Sequence, residues 1–158
     1  AEIEEIEKCK FPRRAIATGG KLQIHAFCDA SLSAYGVCVY IRSEYNGIAN
    51  TNLLCSKARV SATQVLTVPK LELSAALLLA ELIYSISRLH IFNGSFYCWS
   101  DSTIVLSWIQ EESSNYQVFV SNRISRIQTL TSSMHWLYVP TTMNPADILS
   151  RGATPEEL

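Results

Sequence analysis

The sequence predicts an α/β fold: a five-stranded mixed sheet of three antiparallel strands followed by two parallel additions, with helices on both faces. Three observations carry this. Short runs rich in β-branched and aromatic residues come first, separated by turn residues as an antiparallel meander requires. A proline-headed apolar stretch of about twenty residues then precedes the next such run, and a crossover of that length lets the following strand lie parallel. From there strand and helix patterns alternate, giving the order β-β-β-α-β-α-α-β-α.

Residues 1–20 are charged, then punctuated by Pro12 and Gly19-Gly20, and read as a linker or the tail of a preceding domain. Arg13 and Arg14 there read as a solvated basic pair rather than a nucleic-acid contact. Residues 24–31 and 35–41 form the first hairpin. Aspartate is disfavoured in strands and costly to bury alone, so Asp29 at the first strand's end either caps the turn at Ala30-Ser31 or belongs to a metal site. Asn46-Gly47 signals a turn before a third strand at residues 52–57. Lys57 and Arg59 follow with a strand spacing that puts both on one face, toward a phosphate backbone or toward solvent.

Pro69 opens a helix reaching to about residue 90. At ~100° per residue Ser74, Glu81 and Arg88 mark its solvent side, while Glu72 shares the opposite line with Ala76, Leu79, Ile83 and Ile86. A carboxylate there is explained either by the helix dipole or by a partner on the apolar side. Residues 95–101 form a fourth strand ending in Asp101, which alone would serve as the N-cap of a helix starting at Ser102 and packing Ile104, Val105, Trp108 and Ile109. A parallel fourth strand beside the first brings Asp29 and Asp101 to neighbouring carboxyl ends, where open α/β sheets place their sites. Residues 118–131 form an amphipathic helix with Phe119, Ile124, Ile127 and Leu130 buried and Arg123 and Arg126 more exposed. Residues 134–139 make the fifth strand. Residues 144–152 read as a short helix with Asn144 as N-cap, Pro145 first, and Asp147 able to close a capping box.

Composition narrows the function classes. At 158 residues, 48% hydrophobic and 17% charged, the chain suits one domain with a sizeable core. Its longest apolar run, from residue 75, is interrupted at Glu81, short of the ~18 residues of a membrane span, and the acidic N-terminus predicts no secretory leader. Cys9, Cys28, Cys38, Cys55 and Cys98 are odd in number and form no CxxC pair, so they read as reduced residues of an intracellular protein. The net charge of -1 hides an uneven distribution, because residues 8–155 hold all 13 Lys and Arg but only 8 of the 14 acids, a balance of +5. With four of those acids filled by metal, that body is positive by 9, a surface able to face phosphates.

Asp29, Glu72, Asp101 and Asp147 thus all stand at element ends. Each has its own structural excuse, but one common cause is simpler than four. Gathered together, four carboxylates repel and raise one another's pKa unless cations neutralise them. Two Mg²⁺ ions supply a charge of four and favour oxygen ligands, Mn²⁺ substituting; no His/Cys cluster points to zinc. His25, His90 and His135 read as core or surface residues.

Phe27-Cys28-Asp29-Ala30-Ser31 with Ala34-Tyr35-Gly36, Pro69-Lys70-Leu71-Glu72-Leu73, Trp99-Ser100-Asp101-Ser102 and the run Asn144-Pro145-Ala146-Asp147-Ile148-Leu149-Ser150-Arg151-Gly152 resemble the ribonuclease H domain of LTR retrotransposon reverse transcriptases, above all the BEL/Pao group. Lys57-Ala58-Arg59-Val60 and Phe119-Val120-Ser121-Asn122-Arg123-Ile124 fit the same pattern, and the resemblance spans residues 11–152 in order. It implies a ribonuclease H-like domain over residues 21–152, with 1–20 joining it to a polymerase or connection region and 153–158 as a tail. The implied activity is endonucleolytic cleavage of the RNA strand of RNA–DNA hybrids by two-metal hydrolysis. By the family's pattern Asp29 bridges both ions, Glu72 and Asp101 complete one, and Asp147 holds the other. Ser31, Lys57, Arg59, Ser102, Arg123 and Arg151 are the implied substrate contacts. Thr141-Thr142-Met143 lacks the histidine that many cellular relatives carry before the last acid, and no basic inserted helix is present. Both departures imply that the polymerase domain of the same polyprotein helps to hold the hybrid, in the cytoplasm within virus-like particles. The rival readings are a catalytically silent copy that binds hybrid or protein, and an integrase-like nuclease; the terminal Asn-Pro-Ala-Asp disfavours the second.

Overall fold

The computed structural model describes residues 20–61, 66–89 and 92–152. The linker expected before residue 20, the tail at 153–158, and Cys9, Arg13, Arg14 and His90 lie outside the described residues. Strand β1 (Lys21–Ala30) pairs antiparallel with β2 (Ala34–Tyr45), and β2 with β3 (Ile48–Val60). All three strands of the meander are longer than the sequence pattern predicts, and β3 takes in Arg59 as well as Lys57. Asn46 and Gly47 turn the chain with φ of 51° and 77°, the left-handed pair that a tight hairpin with the native strand twist demands.

Helix α1 (Val68–Ser87) carries Pro69 in its first turn and crosses back so that β4 (Gly94–Ser100) lies parallel to β1. Helices α2 (Thr103–Gln110) and α3 (Val118–Leu130) follow, then β5 (His135–Tyr138), parallel to β4, and the short α4 (Asp147–Arg151). The sheet order is β3-β2-β1-β4-β5, the predicted mixed sheet.

Strand alternation sorts the core. Ile24, Ala26 and Cys28 of β1 and Val37, Val39 and Ile41 of β2 turn one way and are buried against α1. The other face carries ring pairs across neighbouring strands: Phe27 with Trp99 at 5.9 Å, and His25 with Tyr97 at 4.9 Å. Helix α4 covers one end of that face. A Cβ on Gly36 would stand 2.5 Å from Leu149 Cβ, so only glycine lets α4 approach. Cys28, Cys38 and Cys98 are buried, Cys55 half-buried, and all four are free thiols.

Two helical faces differ from their periodicity. Ser74 and Glu81, expected on the solvent side of α1, are half-buried, because α1 is sandwiched between the sheet and α3 and buries Leu71, Leu73 and Leu78 as well as the predicted line. α1 stops at Ser87, where the Arg88 amide bonds the Tyr84 carbonyl at 3.1 Å. In α2, Val105 and Ile109 are buried while Ile104 is exposed, since an eight-residue helix packs only one narrow stripe.

Candidate active site

Parallel pairing of β1 with β4 runs to Cys28 opposite Ser100, so the next residues, Asp29 and Asp101, stand side by side at the carboxyl ends. Asp29 is 8% exposed. Burial pushes its carboxyl above the usual carboxylate value; the Ser150 hydroxyl pulls it back in part, and the charges of Asp101 and then Asp147 raise it again. The turn after β1 is held by Ser31, whose hydroxyl accepts from the Ala34 amide at 3.2 Å, so Asp29 is not needed as its cap.

Asp101 has left the strand and lies in the bend before α2. The N-cap there is Ser102, not Asp101: its Oγ accepts from the Val105 amide at 3.3 Å. The same hydroxyl donates to Glu72 Oε2 at 2.5 Å, fastening α1's carboxylate to the end of β4. Glu72 sits beyond the first turn of α1, so the dipole does not account for it; its hydrogen-bond partner is Ser102.

The segment carrying Asp147 is tied to β1 by two buried side chains. Asn144 Nδ2 donates to the Cys28 carbonyl at 3.0 Å, and its Oδ1 accepts from the Ala146 amide at 3.1 Å. Ser150 Oγ donates to Asp29 Oδ2, and its carbonyl accepts from Ser31 Oγ at 2.5 Å. α4 starts at Asp147, and the expected capping box does not form, because Asn144 spends its side chain on the β1 end and on Ala146. Asp147 instead pairs with Arg151, whose Nε stands 2.7 Å from Oδ1. That N–H is not aimed at the oxygen, so buried Oδ1 takes no hydrogen bond.

The basic candidates divide. Lys57 and Arg59 are exposed at the end of β3 that pairs with the start of β2, the same end of the sheet as Asp29. Arg123 is half-buried rather than more exposed: its guanidinium lies 3.5 Å over the Phe119 ring, Nη1 donates to the Phe119 carbonyl at 3.1 Å, and burial lowers its pKa. Lys70 shares that ring at 5.4 Å, a second cation whose place depends on α1 meeting α3. Ser31 and Ser102 spend their hydroxyls on Ser150 and Glu72. Asn144 and Ser150 fall within the last sequence motif, but nothing local assigns Ser150 a role; its signal is the three-residue spacing from Asp147, one helical turn.

Asp29, Asp101 and Asp147 are therefore neighbours, with Glu72 fastened beside them through Ser102. Among the described residues no group of three or more His, Cys, Asp or Glu side chains stands ready to hold a metal; Asp29, Glu72 and Asp147 are each turned to a partner, Ser150, Ser102 and Arg151. The donor set nonetheless fits a hard divalent cation: it is all oxygen, the charges oppose one another, and buried Asp147 Oδ1 lacks a hydrogen bond.

A family model described as the Pao retrotransposon-like RNaseH-like domain matches residues 1–102, which take in Asp29, Glu72 and Asp101. No curated protein matches the chain. Among solved structures it is similar to LC11-RNase H1 in complex with an RNA/DNA hybrid, at 16% identity over 87% of this chain and 99% of that one, with a TM-score of 0.57. It is also similar to the N-terminal RNase H domain of rv2228c from Mycobacterium tuberculosis, at 15% identity, 84% and 91% coverage and a TM-score of 0.54. A third match is the foamy viral protease-reverse transcriptase in complex with an RNA/DNA hybrid, at 14% identity over 91% of this chain and 21% of that one, with a TM-score of 0.53. At such identities the likeness is one of fold. With the family match extending over more than half of its length, the chain belongs to the Pao retrotransposon-like RNaseH-like domain family.

Proposed function

We propose that this domain is a ribonuclease H: an endonuclease that hydrolyses the RNA strand of RNA–DNA hybrids during retrotransposon reverse transcription. The observation that carries the reading is the meeting of Asp29, Asp101 and Asp147 at one end of an RNase H-type sheet, with Glu72 fastened beside them. Asp29, Glu72, Asp101 and Asp147 would hold two Mg²⁺ or Mn²⁺ ions, which supply an activated water and neutralise the charge of an in-line displacement. The chain's own residues do the rest. Ser150 keeps one Asp29 oxygen oriented, Ser102 aims Glu72, and Asn144 holds the Asp147 segment against β1. Lys57 and Arg59, exposed at the same end, would meet the phosphate backbone. Recognition of the RNA strand would rest on 2′-hydroxyls and groove shape rather than base sequence.

Two solved relatives carry an RNA/DNA hybrid, and in the foamy viral protein the similar region is about a fifth of a longer protease-reverse transcriptase. Both support hybrid as substrate, and the foamy viral protein supports a polymerase domain of the same polyprotein as partner. No described helix is long and apolar enough to cross a membrane. As part of a retrotransposon reverse transcriptase, the domain would work within virus-like particles. The test is cleavage of an end-labelled hybrid with Mg²⁺ or Mn²⁺. Cutting of the RNA strand, lost in Asp29→Asn, is expected. No cutting by the domain alone or fused to its polymerase would leave a hybrid-binding module instead.

A further inference from the structure

Asp147 Oδ1 is buried although the Asp147 side chain as a whole is about a third exposed, and the group against that oxygen is the Arg151 guanidinium. Nε stands 2.7 Å away with its N–H pointing elsewhere, so Arg151 opposes the oxygen's charge without satisfying it as a hydrogen-bond donor. The arginine is itself 65% exposed, one helical turn beyond Asp147 and next to Gly152, which leaves the helix at φ 86°. Asp29 and Glu72 are held by neutral hydroxyls, Ser150 and Ser102; Asp147 is paired with a cation. A hydroxyl donor adds no charge and leaves a carboxylate lone pair for a metal. A guanidinium competes with a metal for the same negative charge.

We propose that Arg151 guards Asp147: it occupies the carboxylate as an internal cation, and a divalent ion enters by displacing it. This rests on the reading of Asp147 as a metal ligand. The displaced side chain needs no refolding to leave, since it is exposed and sits at the last position of α4. Ion entry at this carboxylate is thereby coupled to release of a basic arm at the rim of the site.

The experiment titrates the whole chain with Mn²⁺ by calorimetry and follows the Arg151 Nε–H signal by ¹H–¹⁵N NMR during a matching Mg²⁺ titration. Arg151→Ala and Arg151→Gln should each bind Mn²⁺ more tightly than the parent by about two- to fivefold at low salt, the range set by an exposed ion pair. The advantage should shrink toward none near 1 M salt, where the Debye length is about 3 Å. Arg88→Gln removes a positive charge from the far end of α1 and should leave the affinity unchanged. Magnesium should move the Arg151 Nε–H signal to the position it has in Asp147→Asn, where the pair cannot form. Equal or weaker binding in both Arg151 variants, or an Arg151 signal indifferent to magnesium, overturns the guard while leaving the metal site standing. Absence of metal binding in parent and variants alike overturns the site reading and the guard with it.

Discussion

Asp101 has no capping duty, because Ser102 performs it, so the Asp101 charge can be removed without unseating α2. What it does in the folded chain is oppose Asp29. Asp101→Asn should therefore raise the stability of the protein without divalent ions, by on the order of 1 kcal/mol, while weakening Mn²⁺ binding. Chemical denaturation in chelator checks the first and calorimetry the second; a large loss of stability in chelator would return Asp101 to a structural role. His25 gives a second prediction. Its Nδ1 accepts from Trp99 Nε1 at 3.1 Å, so that nitrogen must stay unprotonated, and burial, then Arg42, holds the imidazole below its usual pKa. The folded state thus binds a proton less readily than the unfolded one. The stability this contributes is present above the ordinary value of ~6.5 and is lost as pH falls through it toward the lowered value. Asp29, with its raised pKa, works in the opposite sense at lower pH, so the comparison with His25→Phe isolates the histidine. Melting curves from pH 7.5 to 5 should show the parent losing more stability than the variant. At this scale the sequence marks Asp29, Asp101 and Asp147 as candidates because carboxylates at strand and helix ends are conspicuous, and Glu72 because it shares a line with apolar residues. It does not mark Ser150 and Lys70, because a hydroxyl or lysine acquires its role only through the tertiary neighbour it meets.

Helix α4 shows how an element as short as five residues is placed. Its own hydrogen bonds cannot hold so short a helix; tethers from Asn144, Ser150 and Ser31, and the seat of Leu149 over Gly36, do so. Gly36→Ala puts a methyl group 2.5 Å from Leu149 Cβ, and the sheet is the stiffer partner, so α4 has to move. About 1–3 kcal/mol of destabilisation is expected, as for overpacking elsewhere. The more telling consequence is functional: Asp147 should drift from Asp29 and Mn²⁺ affinity fall, with the β-sheet circular dichroism unchanged. Unchanged affinity would mean that α4 does not set the Asp147 position. Element order was readable from proline, glycine and apolar period because those are local signals. Helix faces were less so. A 3.6-residue period finds the side toward the sheet, but α3 lies over the other side of α1 and half-buries Ser74 and Glu81 as well. The capping box at residues 144–147 failed for a related reason, since Asn144 had a long-range partner at Cys28 that no local pattern announces.

On the scale of the whole molecule, the +5 balance of residues 8–155 becomes a directional field once the acids are neutralised, because part of the basic surface shares their end of the sheet. Lys57 and Arg59 are exposed, two residues apart on one strand, and opposite Val37 and Tyr35 of β2, so both project from the same side of β3. That geometry suits two phosphates of one backbone, whereas Arg123 is tied down on Phe119 and has little freedom to follow a strand. Ion pairs of this kind release counterions and carry no base information. Replacing Lys57 and Arg59 together by alanine should then weaken hybrid and duplex DNA in similar proportion, and flatten the slope of log K against log salt by about 1–2, roughly 0.9 for each phosphate no longer neutralised. Fluorescence anisotropy over a potassium chloride series, without divalent ions so that cutting does not intervene, measures the slope directly. If it is the same in parent and variant, the two cations face solvent, and the hybrid is held by the acid end and the polymerase domain without them.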